Sequence, residues 1–553
     1  MELIVAITGQ EALDAALAAE VAGVTVNLPR NPDRAWWAAV EAWQAAARSH
    51  GVRFSLQWDR LVPEKELPQA QKALAALAAL NPDALALRDL GLCREARLRH
   101  PGLSLHAAGS LGFHNSPGLR LAETLGFSRV VLESPMPLKD LALLRRQTDL
   151  PLEVVLPHPC PGFGHLCLLD DYLVSGGGCP SCCLPARWQA DAAASLLTAL
   201  EMLPGLAQVG VAAVRLGGVF SQGGPLSRSL ELCRLMLDAS PAGRPRVLAA
   251  AREVLAAFGA EFWCEFPPQE TRPGKQPLGP PPAGRGAPAV TGRPRTAPGP
   301  GRIWLEARDY AEAIALAPAW REPLILQLTP ENYHAFLAQF RQWDRRRLVW
   351  RLPPMIRESA LSFFQQAIAT LKQGGFSRFV AGDWGAVALA RQAGGEIYGD
   401  QTLGVRNSLA LIAARDLTVS KVCLFLGRGP GDWQELVQAA PRGSFWGYLY
   451  QLPALAVCAP GSLALPSRES GPGGEKLRWI VEGDLGFLCP EVPQELGNLQ
   501  DWFRQNAVAP LVVSLPHSGQ PWGQVPALAR PQPAPQSPAE SRGRPQPRGR
   551  RRT

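Results

Sequence analysis

Long hydrophobic runs are missing from this 553-residue chain. No uninterrupted apolar stretch reaches the roughly 18 residues needed to span a bilayer. A secretory leader is missing too. The N-terminus, MELIVAITGQEA, reads as a strand running into a helix start, with no basic n-region and no small-residue cleavage site. The expectation is a cytoplasmic protein without a membrane span. Charge is sparse at 19% of residues, and the net excess is only +8, with a pI near 9.0. On so long a chain the location of basic residues matters more than their sum. Also absent are an H-E-x-x-H helix, a G-x-S-x-G elbow and a Walker A loop, which removes three ready-made hydrolytic or nucleotide-binding machineries.

What is present is enough apolar material for a core: 46% hydrophobic residues at a mean hydropathy of −0.04. The length calls for two or more domains. The 53 glycines and 53 prolines lie well above average usage, so part of the chain is loop or disordered. Over the first 265 residues, short apolar runs alternate with Ala- and Leu-rich stretches at helical spacing. Strands are expected at Glu2–Ile7, Gly23–Asn27, Arg53–Gln57, Ala84–Leu87, Ser104–His106, Arg129–Leu132, Leu152–Leu156 and Ala213–Leu216, and helices at Ala35–Ser49 and Gln69–Leu80. Such alternation implies a parallel sheet, and eight units suggest a closed (β/α)8 TIM-like barrel; an open doubly wound sheet is the competing arrangement. Residues 266–301 are a Pro/Gly-rich linker unable to bury enough apolar surface to fold. A second α/β unit is expected over 302–528, and the Pro- and Arg-rich residues 529–553 read as a disordered basic tail.

The two units share an internal repeat. Asp89 and Gly91 match Asp383 and Gly385; Gly112, Asn115 and Ser116 match Gly404, Asn407 and Ser408; Ser128 and Val130 match Ser420 and Val422. An ordered series of this kind points to duplication. The second copy lacks the cysteine cluster described next, so it is expected to be a degenerate, barrel-like repeat that binds substrate or a partner.

Five of the eleven cysteines fall within 24 positions: Cys160, Cys167, Cys179, Cys182 and Cys183. Soft thiolate ligands suit iron–sulfur clusters and zinc. A closed four-cysteine zinc site usually shows C-x2-C twice, whereas here only Cys179–Cys182 has that spacing, which tilts the reading toward iron–sulfur and leaves zinc as the alternative. Asp89 and Glu133 fall at strand ends. Each is a candidate substrate ligand or helix cap, with the cap favoured for Asp89. His106, at a strand end of the barrel, is either a general acid or base or a hydrogen-bonded structural histidine. Glu153 is either a mouth-facing acid or a member of an ion pair, and His158 and His165 flank the first cysteines.

Over roughly residues 1–240 the sequence resembles the collagenase-like peptidase U32 family. Asp89-Leu90-Gly91, Leu105-His106-Ala107, Asn115 and Arg129-Val130-Val131-Leu132 follow the family's order. Glu153, His158, Cys160 and Cys167 correspond to its signature, with the six-residue gap between the cysteines kept, and Cys179 and Cys183 match a further C-x3-C pair. Cys233 falls where a last cluster cysteine sits on a helix after the final barrel strand. The resemblance implies a [4Fe–4S] cluster on Cys160, Cys167, Cys179 or Cys183, and Cys233. It also implies oxygen-independent hydroxylation of RNA pyrimidines or of a quinone precursor. The family's name brings collagenase-like proteolysis as an alternative, and a cluster-binding scaffold without catalysis is a third. On the leading reading His106 and Glu153 shape the catalytic pocket. RNA is presented by the second unit and the basic tail, and a paralogous subunit is a candidate partner. The chain departs from the pattern at Ala108-Gly109-Ser110, at Gly164-His165-Leu166, and at Val214-Arg215-Leu216-Gly217-Gly218, where the family's Glu is missing.

Overall fold

The computed structural model describes residues 1–132, 136–156, 166–167, 192–216, 223–258, 303–425, 430–458, 468–470, 476–482 and 485–516. In the first half, strands β1 (Glu2–Ile7), β2 (Gly23–Asn27), β3 (Arg53–Trp58), β4 (Ala84–Leu87), β5 (Leu105–Ala107), β6 (Arg129–Leu132) and β7 (Leu152–Leu156) follow one another in parallel. A two-residue strand, β8 (Leu166–Cys167), leaves the barrel, and β9 (Ala213–Leu216) closes it by pairing with both β7 and β1. All eight barrel strands fall on the predicted segments, with ends shifted by a residue at β3 and β5. Strands such as ALAL and RVVL are apolar throughout because side chains on both faces are buried, one set toward the helices and one toward the barrel axis.

The second half is also a complete closed parallel barrel. Its strands are β10 (Ile303–Ala307), β11 (Leu324–Gln327), β12 (Leu348–Arg351), β13 (Arg378–Ala381), β14 (Glu396–Gly399), β15 (Val419–Cys423) and β16 (Phe445–Gln451), closed by the last strand of the chain, Leu511–Ser514, which pairs with β16 and β10. Its axis is filled by large side chains, among them Trp304, Tyr398 and Trp446. Between β16 and the closing strand lies an insertion with β17 (Ala456–Cys458), β18 (Arg468–Ser470), β19 (Lys476–Glu482), β20 (Leu485–Pro490) and β21 (Gln494–Glu495), so the closing strand is β22. This insertion occupies the place in its barrel that the cysteine segment occupies in the first, between the seventh and eighth barrel strands. The two insertions meet: β8 adds antiparallel to the free edge of β17, with Cys167 opposite Ala456 and Leu166 opposite Val457.

The barrels join along a pseudo-two-fold seam built from the repeated residues. The helix Leu90–Arg99 packs on Ser408–Asp416, and Ser116–Thr124 packs on Trp384–Gln392. Asn115 and Asn407 each cap their own helix, accepting from Gly118 N (3.0 Å) and Ala410 N (2.8 Å). Each also donates across the seam, to Ile356 O (3.0 Å) and Val62 O (2.8 Å). Ser116 N donates to Glu358 (2.7 Å) and Ser408 N to Glu64 (2.6 Å). Gly91 and Gly385 let the backbones approach: a Cβ on Gly91 would collide with Ala410 N, and one on Gly385 would lie 2.8 Å from the Asn115 side chain. Gly112 (φ +78°) and Gly404 (φ +68°) end matching short turns in the left-handed region, where a Cβ is strained.

Candidate functional site at the seam of the two barrels

The predicted pocket residues His106 and Glu153 lie inside the first barrel. Glu153, the second residue of β7, is 1% exposed and forms ion pairs with Arg129 (3.0 Å) and Arg215. Arg129 continues to Glu2 (2.9 Å), which pairs with Arg53 (2.6 Å). Glu153 is therefore the ion-pair member of the two alternatives. Burial opposes its charge, but the Arg215 and Arg129 guanidiniums hold its carboxyl below the ordinary range. His106 is partly buried at the centre of β5, in register with Ala86 and Arg129. Burial lowers its pKa to about 4; Glu153 opposes that shift and the neighbouring arginines reinforce it. At neutral pH it is a neutral imidazole and a weak base.

The second barrel fills its own mouth with paired charges. Arg351, at the end of β12, pairs with Glu306 of β10 and Asp400 after β14 (2.5 Å), and donates to Tyr448 Oη of β16 (2.6 Å). Gln401, Gln451 and Gln494 form a neighbouring chain at 3.1 and 2.9 Å. Burial works against the Arg351 guanidinium, yet Asp400 and Glu306 raise its pKa well above the ordinary value. This layer is saturated with internal partners.

Among the described residues, an open space lies between the barrels, on the side where loops following both sets of strands converge. A narrow crevice there is lined by Arg88 and His114 from the first barrel, Asp383, Trp384 and Thr402 from the second, and Val457 of β17. Gly112, Gly382 and Gly404 also line it. A Cβ on Gly112 would lie 2.9 Å from the Asp383 Cβ, and one on Gly382 2.6 Å from Thr402 Oγ1. Asp383 caps its helix through Oδ1, which accepts from Ala386 N at 2.5 Å. Its Oδ2 is buried without a hydrogen-bond partner among the described residues, and burial raises the carboxyl pKa to about 8. Burial lowers His114 to about 4. The equivalent Asp89 caps Leu92 N (3.1 Å), as expected, but its second oxygen is filled, accepting from Val62 N (3.0 Å) and Asn407 Nδ2 (2.8 Å). The two halves of the seam differ at this oxygen.

Of the predicted ligands, Cys160, Cys179 and Cys183 lie outside the described residues, as do Cys182, Glu133, His158 and His165. The backbone of Cys167 is placed by the β8–β17 ladder, one residue from the partner of crevice-lining Val457. Cys233 is on the helix Gly223–Asp238 after the final barrel strand, as expected, and is fully buried in the apolar layer. Burial raises its thiol to about 12, so it would join a ligand set only with a metal's charge beside it. Among the described residues no group of three His, Cys, Asp or Glu side chains is placed to hold a metal, and no helix is long and apolar enough to cross a membrane. Sequence reading missed the crevice residues Asp383 and His114. The repeat itself carried the signal for Asp383, through its match to Asp89.

Residues 11–271, the first barrel with its cysteine segment, match the profile of Peptidase family U32. Among characterised relatives, tRNA hydroxylation protein P of Haemophilus influenzae is 26% identical over 149 residues, covering 26% of this chain and 32% of that protein. The chain thus spans about a third of the length of the relative it matches. Among solved structures, the U32 peptidase Mk0906 aligns at 13% identity over 39% of this chain and 93% of its own, with a TM-score of 0.27. Thiamine phosphate pyrophosphorylase from Pyrococcus furiosus aligns at 12% identity over 45% and 96%, with a TM-score of 0.28.

Proposed function

We propose that this protein takes part in hydroxylating tRNA, with the cysteine segment after β7 as its redox centre. The observation that carries this reading is the family match across residues 11–271, which includes Cys160, Cys167, Cys179, Cys183 and Cys233, joined to the resemblance to a tRNA hydroxylation protein. Four of those cysteines, Cys160, Cys167, Cys179 or Cys183, and Cys233, would hold a [4Fe–4S] cluster, with zinc as the alternative metal. When bound, a cluster supplies one-electron chemistry that the chain's own side chains do not offer. Those side chains do the rest. The Glu153–Arg129–Arg215 network fixes the barrel interior beneath the site, and neutral His106 presents a polar edge within it. The β8–β17 ladder ties the cysteine segment to the second barrel. That barrel and the basic tail offer surface to a large polyanionic substrate.

The test is nucleoside mass spectrometry of tRNA from a deletion strain. Loss of one hydroxylated nucleoside, restored by the intact gene, is the expected result. An unchanged hydroxylated-nucleoside profile would refute the reading. Peptidase activity that survives Cys160→Ala and Cys167→Ala would favour proteolysis instead.

A further inference from the structure

We infer that the second barrel is a positioning element for the cysteine segment: the edge of its β17 docks β8 and so fixes the backbone at Cys167. The inference deepens the proposed redox role of that segment and rests on it. Three observations carry it. First, the two inserts fill the same slot in their barrels, between the seventh and eighth barrel strands, and the ladder between β8 and β17 joins one insert to the other. Second, the inserts are built differently. The one in the second barrel is a sheet in the order β18-β19-β20-β17, with β19 and β20 paired from Leu477 to Glu482. Its Val457, Leu485, Phe487 and Cys489 share a buried apolar cluster with Met355, beyond β12, and Leu452, beyond β16. A sheet anchored to its barrel in this way is a fixed template. The first insert brings only Leu166 and Cys167 to the ladder. So short a strand has too few bonds to hold its shape without the sheet it joins. Third, β17 without β8 would be a sheet edge with unpaired N–H and C=O groups, which native sheets pair or cover. β8 pairs it, with Cys167 opposite Ala456 and Leu166 opposite Val457. The degenerate copy thus gains a role. It supplies none of the predicted ligands, but it holds one that the first barrel supplies.

The experiment uses the full-length protein and has two arms. Residues directly opposite in an antiparallel ladder have Cα atoms about 4.5–5.5 Å apart, inside the roughly 4.4–6.8 Å that a disulfide spans. Ala456→Cys, stripped of metal with EDTA and oxidised with diamide, is therefore expected to link residue 456 to Cys167, as mapped by mass spectrometry of the digested protein. Arg468→Cys, on β18 at the far edge of the sheet and about 19 Å from β8, should give no such link. The second arm measures metal retention. Adjacent pairs in an antiparallel ladder alternate between exchanging both hydrogen bonds and exchanging neither. The double variant Leu166→Pro/Ala456→Pro therefore removes a ladder donor whichever pair carries the bonds. Groups that orient a ligand from outside the coordination sphere are worth about 10–100-fold in metal affinity. Iron or zinc should accordingly leave the double variant for EDTA at least about tenfold faster than it leaves the parent, with circular dichroism unchanged. Absence of the 456–167 link, or an unchanged rate of metal loss, overturns the inference. If the double variant unfolds, the disulfide decides. A deletion strain that loses its hydroxylated nucleoside while no link forms refutes the docking alone. A link that forms in a protein holding no metal, with an unchanged tRNA profile, refutes the proposed function alone.

Discussion

Replacing Asn407 by alanine should destabilise the protein more than the same change at Asn115, although the two occupy equivalent places. Asn407 caps the helix Ser408–Asp416, donates to Val62 O, and donates to Asp89 Oδ2. Losing the cap costs about 1 kcal/mol. The stranded Val62 carbonyl adds about 1–2 kcal/mol, and the weakened hydrogen-bonding of buried Asp89 about 1–2 kcal/mol more. The sum is roughly 4 kcal/mol. Asn115 caps Gly118 N and donates to Ile356 O, with no carboxylate to satisfy, so its loss costs roughly 2–3 kcal/mol. Urea unfolding of the full chain measures both, and a cycle pairing Asn407→Ala with Asp89→Ala should give a coupling of about 1 kcal/mol or more. A cost for Asn407→Ala no greater than a lost cap, or a larger cost at Asn115, would refute the asymmetry between the two halves of the seam.

Three further outcomes follow from the same geometry. Asp383 has a folded pKa of about 8 against an ordinary 3.8, so its proton stabilises the folded state. That stabilisation is full below about pH 4 and is lost as pH rises through about 8. Asp383→Asn should therefore gain stability over the parent at pH 9 but not at pH 4, as read from urea midpoints; a constant difference would contradict this. Gly91→Ala should cost about 1–3 kcal/mol or more and exceed Gly385→Ala, since its methyl group meets backbone where the other meets a side chain; thermal melts that rank them oppositely would contradict it. Glu153→Gln leaves Arg129 and Arg215 short of a buried counter-charge and should cost about 3–5 kcal/mol, with His106 titrating still lower by NMR.

The barrel strands were legible because each is short, apolar and separated by helical spacing, so β4 and β6 declare themselves without tertiary context. The full closure of the second barrel was less so. Its eighth strand, β22, follows β16 only after an insertion of five strands, and nothing local in LVVS says which edges it joins. The Asp-x-Gly and Gly-x-x-Asn-Ser repeat was visible, and the cap on Asp89 followed from its place before a helix. That the repeated residues bond to each other's copies could not be read from one strand of sequence, since Asn407 and Val62 are brought together only by the pairing of whole barrels. Glu153 was ambiguous for a similar reason: its partners Arg129 and Arg215 sit on two other strands. Cys233 was placed correctly on a helix beyond the last strand of its barrel.

The most direct measurement complements the deletion strain with the parent gene or with Cys160→Ala/Cys167→Ala and quantifies hydroxylated tRNA nucleosides. The parent should restore the missing nucleoside; the double variant should make full-length, folded protein and restore none. Full restoration by the variant would show that the cysteine segment does not perform the chemistry assigned to it.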